Sequence, residues 1–244
     1  MIRRTFLLAV SLCLAGFAGC DTNDRIVIPA APPDTVRVSF QDGSLPDASY
    51  HGTSDAILKD GPRIDWRNGN FGAVSSDTIG FAALSSGIFE RRLIIMMDLS
   101  SIQNCSQVLS ASLSIRIVPP VTDAMEIEVH RVMLADYVEW MEGFGGPAAG
   151  VSWTTIDGGV PWIAEGGDFD GAILDQKTVS NDTLVIFSLS PIVVRGWILK
   201  PDSNHGVIIK AADTSPQTHA IVFLSEYDAA AWRPRLDITY LRGG

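Results

Sequence analysis

A chain of 244 residues with 28 acidic against 18 basic side chains carries a formal charge of −10 at pH 7, a field that repels polyanions and argues against nucleic acid as a partner. Its three cysteines are too few for a disulfide framework. A domain of about 200 residues buries enough apolar surface to stand without one.

The first twenty residues read M-I-R-R-T-F-L-L-A-V-S-L-C-L-A-G-F-A-G-C, two arginines ahead of an uncharged apolar run of about 13 residues that closes in small residues. That is the pattern of a secretory signal. A membrane-spanning helix needs about 20 apolar residues, and this run gives way to the polar Asp21-Thr22-Asn23-Asp24-Arg25. Phe17-Ala18-Gly19-Cys20 resembles the lipobox of bacterial lipoproteins, with Phe17 where leucine is usual. The resemblance implies that residues 1–19 are removed and that Cys20 is acylated. It also implies a lipid bilayer as partner and a place in the cell envelope outside the cytoplasm. Several acyl chains would anchor the protein where one alone binds marginally. An ordinary secretory signal cut after a small residue is the other reading. Under the lipobox reading Cys13 leaves with the signal, Cys20 carries lipid and Cys105 has no thiol partner. The charge then moves from −10 to −12, because Arg3 and Arg4 are lost and no acid is. Residues 20–34, with Pro29, Pro32 and Pro33, read as a stiff tether, and 35–244 as a single domain.

From Thr35 onward the dominant signal has period two. Val36, Val38 and Phe40 alternate with polar neighbours, as do Leu113, Ile115 and Ile117, then Met125, Ile127 and Val129, and finally Leu236, Ile238 and Tyr240. Arg91–Leu99, Thr183–Leu189, Gly206–Ala211 and Ala220–Ser225 are further strands bounded by turn residues. Short strands without intervening helices predict an all-β fold, an antiparallel jelly-roll-like sandwich. One capping helix is expected, with Ser190 as N-cap, Pro191 at its first position, Ile192, Val193, Gly196 and Trp197 on its packed face, and Pro201 as its stop.

Chemistry is harder to find. There is no G-x-S-x-G, no H-E-x-x-H and no phosphate-binding glycine loop. His130 falls on the polar side of an alternating strand and reads as solvated, and Arg91 and Arg92 as solvated strand-end charges. A glycosidase needs two carboxylates about 5 to 9 Å apart, a distance that sequence does not give. Polysaccharide degradation therefore stays a minor reading, and the chain is expected not to be an enzyme.

Several segments in shared order resemble the DNRLRE domain, also classed as carbohydrate-binding module family 96. They are Tyr50-His51-Gly52-Thr53 with Asp55-Ala56-Ile57-Leu58, Asn70-Phe71-Gly72, Arg91-Arg92-Leu93 through Asp98-Leu99-Ser100-Ser101-Ile102, and Ser110-Ala111-Ser112-Leu113. The middle contributes Trp140-x-Glu142-Gly143, Val151-Ser152-Trp153 and Pro161-Trp162 to Gly166-Gly167-Asp168. The C-terminal part adds Trp197, Asn204-His205-Gly206, Phe223-Leu224-Ser225-Glu226 and Arg233-Pro234-Arg235-Leu236 with Thr239-Tyr240. The resemblance implies a sandwich that serves as a non-catalytic module for polysaccharide.

Three readings remain open for Trp153–Gly171, W-T-T-I-D-G-G-V-P-W-I-A-E-G-G-D-F-D-G. In the first, the indoles plug one end of the sandwich. In the second, Trp140, Trp153 or Trp162 stacks on a sugar ring while Asp157, Glu165 and Asp168 accept its hydroxyls. In the third, Asp168 and Asp170 contribute to a structural calcium ion, although the remainder of a calcium loop is missing. The negative field favours a neutral or weakly charged polysaccharide. A structural or adhesion surface domain with no glycan site is the alternative function.

Overall fold

The run Leu93-Ile94-Ile95-Met96-Met97 shows no alternation, and the fold explains why. In this computed structural model it forms the end of a strand that is apolar on both faces, one turned to the sandwich core and one to a long covering loop. The structure describes residues 34–103, 105–118, 124–135, 137–146, 150–180, 184–212 and 218–243, so Cys20, the signal segment and nearly all of the tether lie outside the described residues.

Eleven strands are described: β1 (Thr35–Phe40), β2 (Thr53–Lys59), β3 (Ser76–Leu84), β4 (Gly87–Met97), β5 (Cys105–Val118), β6 (Met125–Val132), β7 (Phe169–Val179), β8 (Leu184–Leu189), β9 (Val207–Ala211), β10 (His219–Phe223) and β11 (Arg235–Arg242). Two helices accompany them, the single turn α1 (Ile64–Arg67) and the capping helix α2 (Pro191–Leu199). Every pairing is antiparallel. The expected all-β sandwich with a short capping helix is what forms. Among the described residues no helix is long and apolar enough to cross a membrane.

One layer runs β1-β11-β5, with β8 also on β5; the other runs β4-β9-β6-β7, with β2 also on β4, and β3 and β10 link the two. The core between the layers collects the alternating positions read from sequence, including Leu113, Ile115, Ile117, Leu236 and Ile238 from one side and Ile127, Val129, Leu93 and Ile95 from the other. Each such aliphatic residue contributes about 1.5–3 kcal/mol on burial.

β7 is absent from the sequence reading, which placed its start in the Trp153–Gly171 loop. It is an edge strand held only by β6, and most of its residues are exposed, so no buried face imposes a pattern. Asp175 closes the seam beyond it by accepting the Ser188 N–H of β8 at 2.7 Å. β3 was missed for a related reason, since only Ile79 and Gly80 are buried along it.

Three further expectations are corrected. On α2 the buried residues are Val194 and Trp197, while Ile192 is 84% exposed, and Ser190 makes no side-chain capping bond. His130 is buried, its Nδ1 2.9 Å from the Asp170 carbonyl and its Nε2 3.2 Å from Glu128 Oε2, because a bulged β6–β7 pairing folds over it. Arg92 is no solvated strand end either; its guanidinium lies 4.9 Å from the Trp153 ring centroid and pairs with Glu90 at 2.5 Å.

Candidate functional site

The outward faces of β2, β4 and β9 present Ala56, Leu58, Ile94 and Ile208, a second apolar surface that must be covered. The segment after β6 covers it. Trp140, Trp153 and Trp162 drop onto this surface and are only 4%, 6% and 5% exposed. Trp140 Nε1–H donates to the His205 carbonyl at 3.0 Å, and Trp162 Nε1–H to the Ser152 carbonyl at 2.8 Å. Indoles buried to this degree, with the N–H of Trp140 and Trp162 satisfied by backbone, act as plugs. The expectation of a sugar platform on Trp140, Trp153 and Trp162 does not survive that burial.

The acidic residues of the same loop hold its backbone. Asp157 accepts the amides of Gly159 and Val160 at 2.8 and 2.7 Å, which lowers its pKa below the usual carboxylate value. Asp168 takes Ile163 N–H on one oxygen and Ala164 N–H on the other, at 2.9 and 2.8 Å. Asp170 accepts Ala172 N–H at 3.0 Å. Glu165 pairs with Arg67 and so fastens the loop to α1. A calcium site on Asp168 and Asp170 gains no support, since loop amides take both oxygens of Asp168 and one of Asp170, and among the described residues no third acidic, histidine or cysteine ligand joins them.

The carboxylates that do converge are Asp55, Glu142 and Glu226, whose oxygens lie within 4.8 Å of one another. Asp55 is fully buried on β2 and accepts the Ser225 N–H at 2.9 Å and its hydroxyl at 3.2 Å. The same Ser225 hydroxyl lies 3.0 Å from Glu226 Oε1, so its single proton faces two acceptors. Glu142 accepts the Asp55 N–H at 2.9 Å. Desolvation, then the neighbouring Glu226 and Glu142, raises Asp55 well above the ordinary value. Glu142 is pushed up to about 7, chiefly by burial. Glu226 is raised as well, burial again being the leading cause, with Arg233 acting the other way. Burial and mutual repulsion thus favour the protonated carboxyl over the carboxylate throughout the cluster. It is also the set of oxygens that a hard cation would find here, but Asp55 already spends both of its oxygens on Ser225 and such cations take six or more.

Sequence reasoning missed a different feature beside α1. An open hollow of about 470 Å³ is walled by Lys59, Asp65, Trp66, Phe71 and Arg91. Trp66 and Phe71 are partly exposed. Lys59 Nζ sits 3.6 Å from the Phe71 ring centroid, and the Arg91 guanidinium 5.9 Å from that of Trp66. Both cations also meet Asp77, Arg91 at 3.8 Å, which leaves the hollow with little net positive charge. Asn70 fixes its floor by donating to the Val151 carbonyl and accepting the Gly145 N–H, each at 2.8 Å. The available signal was Trp66-Arg67-Asn68-Gly69-Asn70-Phe71-Gly72, two aromatics set among turn formers.

No family model matches the chain, and no curated protein does. Among solved structures, the full particle of Israeli acute paralysis virus heated to 63 degrees is similar at 13% identity, over 99% of this chain and 81% of that chain, with a TM-score of 0.22. The pentamer of the Israel acute paralysis virus is similar at 13% identity, over 96% and 81%, with a TM-score of 0.22. Likeness at this level carries no argument about function.

Proposed function

We propose that the chain is a non-catalytic carbohydrate-binding domain, lipid-anchored in the cell envelope through Cys20, whose glycan sits in the hollow beside α1. The observation that supports this is the partly exposed pair Trp66 and Phe71 in an open hollow that also offers Lys59, Asp65 and Arg91. Its size falls within the ~300–1,000 Å³ range of ligand pockets. A pyranose would lay its axial C–H groups on the indole face while Asp65 accepts and Lys59 and Arg91 donate hydrogen bonds to hydroxyls. Because Asp77 and Asp65 together offset Lys59 and Arg91, a neutral or weakly charged polysaccharide suits the site better than a polyanion.

The test is a glycan array followed by titration of Trp66→Ala and Phe71→Ala. Stacking of this kind is worth about 0.5–1.5 kcal/mol beyond burial, so each variant is expected to weaken binding roughly three- to tenfold. Absence of any bound glycan, or binding that Trp66→Ala leaves unchanged, removes the proposal.

A structural or adhesion surface domain is the second reading. It is favoured by the burial of Trp140, Trp153 and Trp162. It expects no glycan on the array and no ligand protection of Trp66 from iodide quenching.

A further inference from the structure

A long loop seals the outer surface of β2, β4 and β9, but the outer surface of the opposite layer is open to solvent. Pairing register fixes what that surface presents. Arg37 of β1 stands beside Thr239 of β11, Arg235 beside Ser114 of β5, Leu184 and Ile186 of β8 beside Arg116 and Ser114, and Ile221 of β10 beside Val118. Val118, Leu184, Ile186 and Ile221 are exposed, and with Trp232, from the turn ahead of β11, they gather around Arg116. The Arg116 guanidinium lies 5.4 Å from the Trp232 ring centroid, and its Nε–H donates to the Ala231 carbonyl at 3.0 Å. The indole is propped at a right angle against Phe223, with centroids 4.7 Å apart.

On a chain of formal charge −10 this face is the exception. Its strands turn Arg37, Arg116 and Arg235 outward against one acid, Asp237, which Arg235 already pairs with at 2.5 Å. Asp175, at the β7 border, is matched by Lys177 at 2.9 Å. Arg37 and Arg116 have no acidic partner among the described residues. Acids on the far layer stand about 10 Å or more behind the face, close to a Debye length at physiological salt, so the local sign is positive.

We propose that this face docks on an anionic lipid surface, with Arg37 and Arg116 meeting headgroup phosphates while Trp232 and the aliphatic residues around Arg116 enter the boundary beneath them. An apolar cluster with an indole at its rim, combined with cations, is what an interfacial surface requires. Placement favours the same occupant. β1 is one edge of the face and begins at Thr35, and residues 21–34, which separate it from Cys20, reach about 50 Å at most. An anchor at Cys20 would therefore hold the face near the bilayer at high effective concentration, so that weak docking suffices. That last step rests on the anchored reading above; the charge and the apolar cluster do not. Neither depends on the hollow beside α1.

The experiment adds the whole chain, as purified from cells, to vesicles of phosphatidylcholine alone and to vesicles rich in phosphatidylglycerol, each containing a lipid brominated on its acyl chains. Quenching of Trp232, taken as the difference between wild type and Trp232→Phe, is expected on the anionic vesicles and not on the neutral ones. Arg37→Gln, an exposed residue without a partner, should weaken docking about fivefold, the worth of one basic residue near an anionic surface. Ile186→Asp, also at an exposed position, should abolish it. High salt should remove the quenching; an anchored chain then stays with the vesicles and an unanchored one leaves them, so loss of the anchor and failure of the face are told apart. Quenching that is equal on the two vesicle types, absent on both, or unchanged by Arg37→Gln and Ile186→Asp overturns the proposal. So does capture of dextran sulfate with no quenching on vesicles, or a dimer in analytical ultracentrifugation that Ile186→Asp dissolves, since either gives the face another occupant.

Discussion

Glu142 accepts the backbone N–H of Asp55 at 2.9 Å, so a side chain 87 positions away satisfies β2 on the edge that faces away from β4. The bond joins the long covering loop to the sandwich. It also places a carboxylate of raised pKa on a junction, with Asp55, Glu226 and Asp42 around it and Arg233 near the last two.

Stability should therefore fall as pH rises from about 5 to 8. Glu142 takes its proton at about 7 in the folded chain, against 4.5 as its ordinary value. Between those values the folded state binds more protons than the unfolded state, so unfolding free energy declines with pH and the contribution is gone once pH passes the folded pKa. Solvent on the open side of the cluster screens the effect to about 1–2 kcal/mol. Urea unfolding at pH 5, 6, 7 and 8 measures it. Glu142→Gln should make the decline shallower, with Asp55 and Glu226 keeping part of it, and stability that rises over this window counts against the cluster as described.

Removing an indole from the covering loop should cost folding rather than binding. Trp162→Ala opens a cavity beneath the loop and strips the Ser152 carbonyl of its donor, for a loss of about 3–5 kcal/mol. Thermal unfolding reads the loss, and iodide should then quench the remaining tryptophans more strongly. A Trp162→Ala protein of unchanged stability that lost glycan binding would restore the platform reading.

The sandwich was legible where one face of a strand meets the core. Leu113, Ile115 and Ile117 announce β5 because their neighbours Ser112 and Ser114 point outward. β7 was illegible because an exposed edge strand needs only its backbone to pair. The covering role of Trp140, Trp153 and Trp162 was one of the readings left open, but the sequence could not select it, since an indole that plugs and one that stacks are written with the same letter. What decides is the apolar back of β4 and β9, where Ile94 and Ile208 demand cover. The convergence of Asp55 with Ser225 spans 170 positions and leaves no local mark. Trp66 and Phe71 were visible as residues, yet nothing in their spacing marked a hollow.

Acylation at Cys20 predicts a clean biochemical outcome. In bacterial cells the chain should incorporate an alkyne-labelled fatty acid and fractionate with membranes, and Cys20→Ala should lose both properties while remaining folded. One acyl chain holds only marginally, so the wild-type protein should resist carbonate extraction only when fully acylated. A labelled Cys20→Ala chain would place the acyl group on another residue, and an unlabelled wild type released in soluble form would point to an ordinary cleaved signal.

Gly206 gives the sharpest backbone test. It lies between His205 and β9 with φ +75°, and a Cβ there would stand 2.0 Å from the Ile95 carbonyl oxygen. Both the left-handed conformation and the close approach exclude a side chain, and the clash is with backbone, which cannot swing aside. Gly206→Ala should destabilise the fold by about 2–4 kcal/mol, because relief would have to move β9 off β4. Gly171→Ala is the matched control, with nothing within 4 Å of the added methyl and no positive φ. Its unfolding midpoint should stay within a degree or two of wild type, roughly the shift that changes of ±0.5 kcal/mol produce in a chain of this size. Equal behaviour of the two variants in thermal melts would mean that β9 does not approach β4 as closely as Ile95 and Gly206 require.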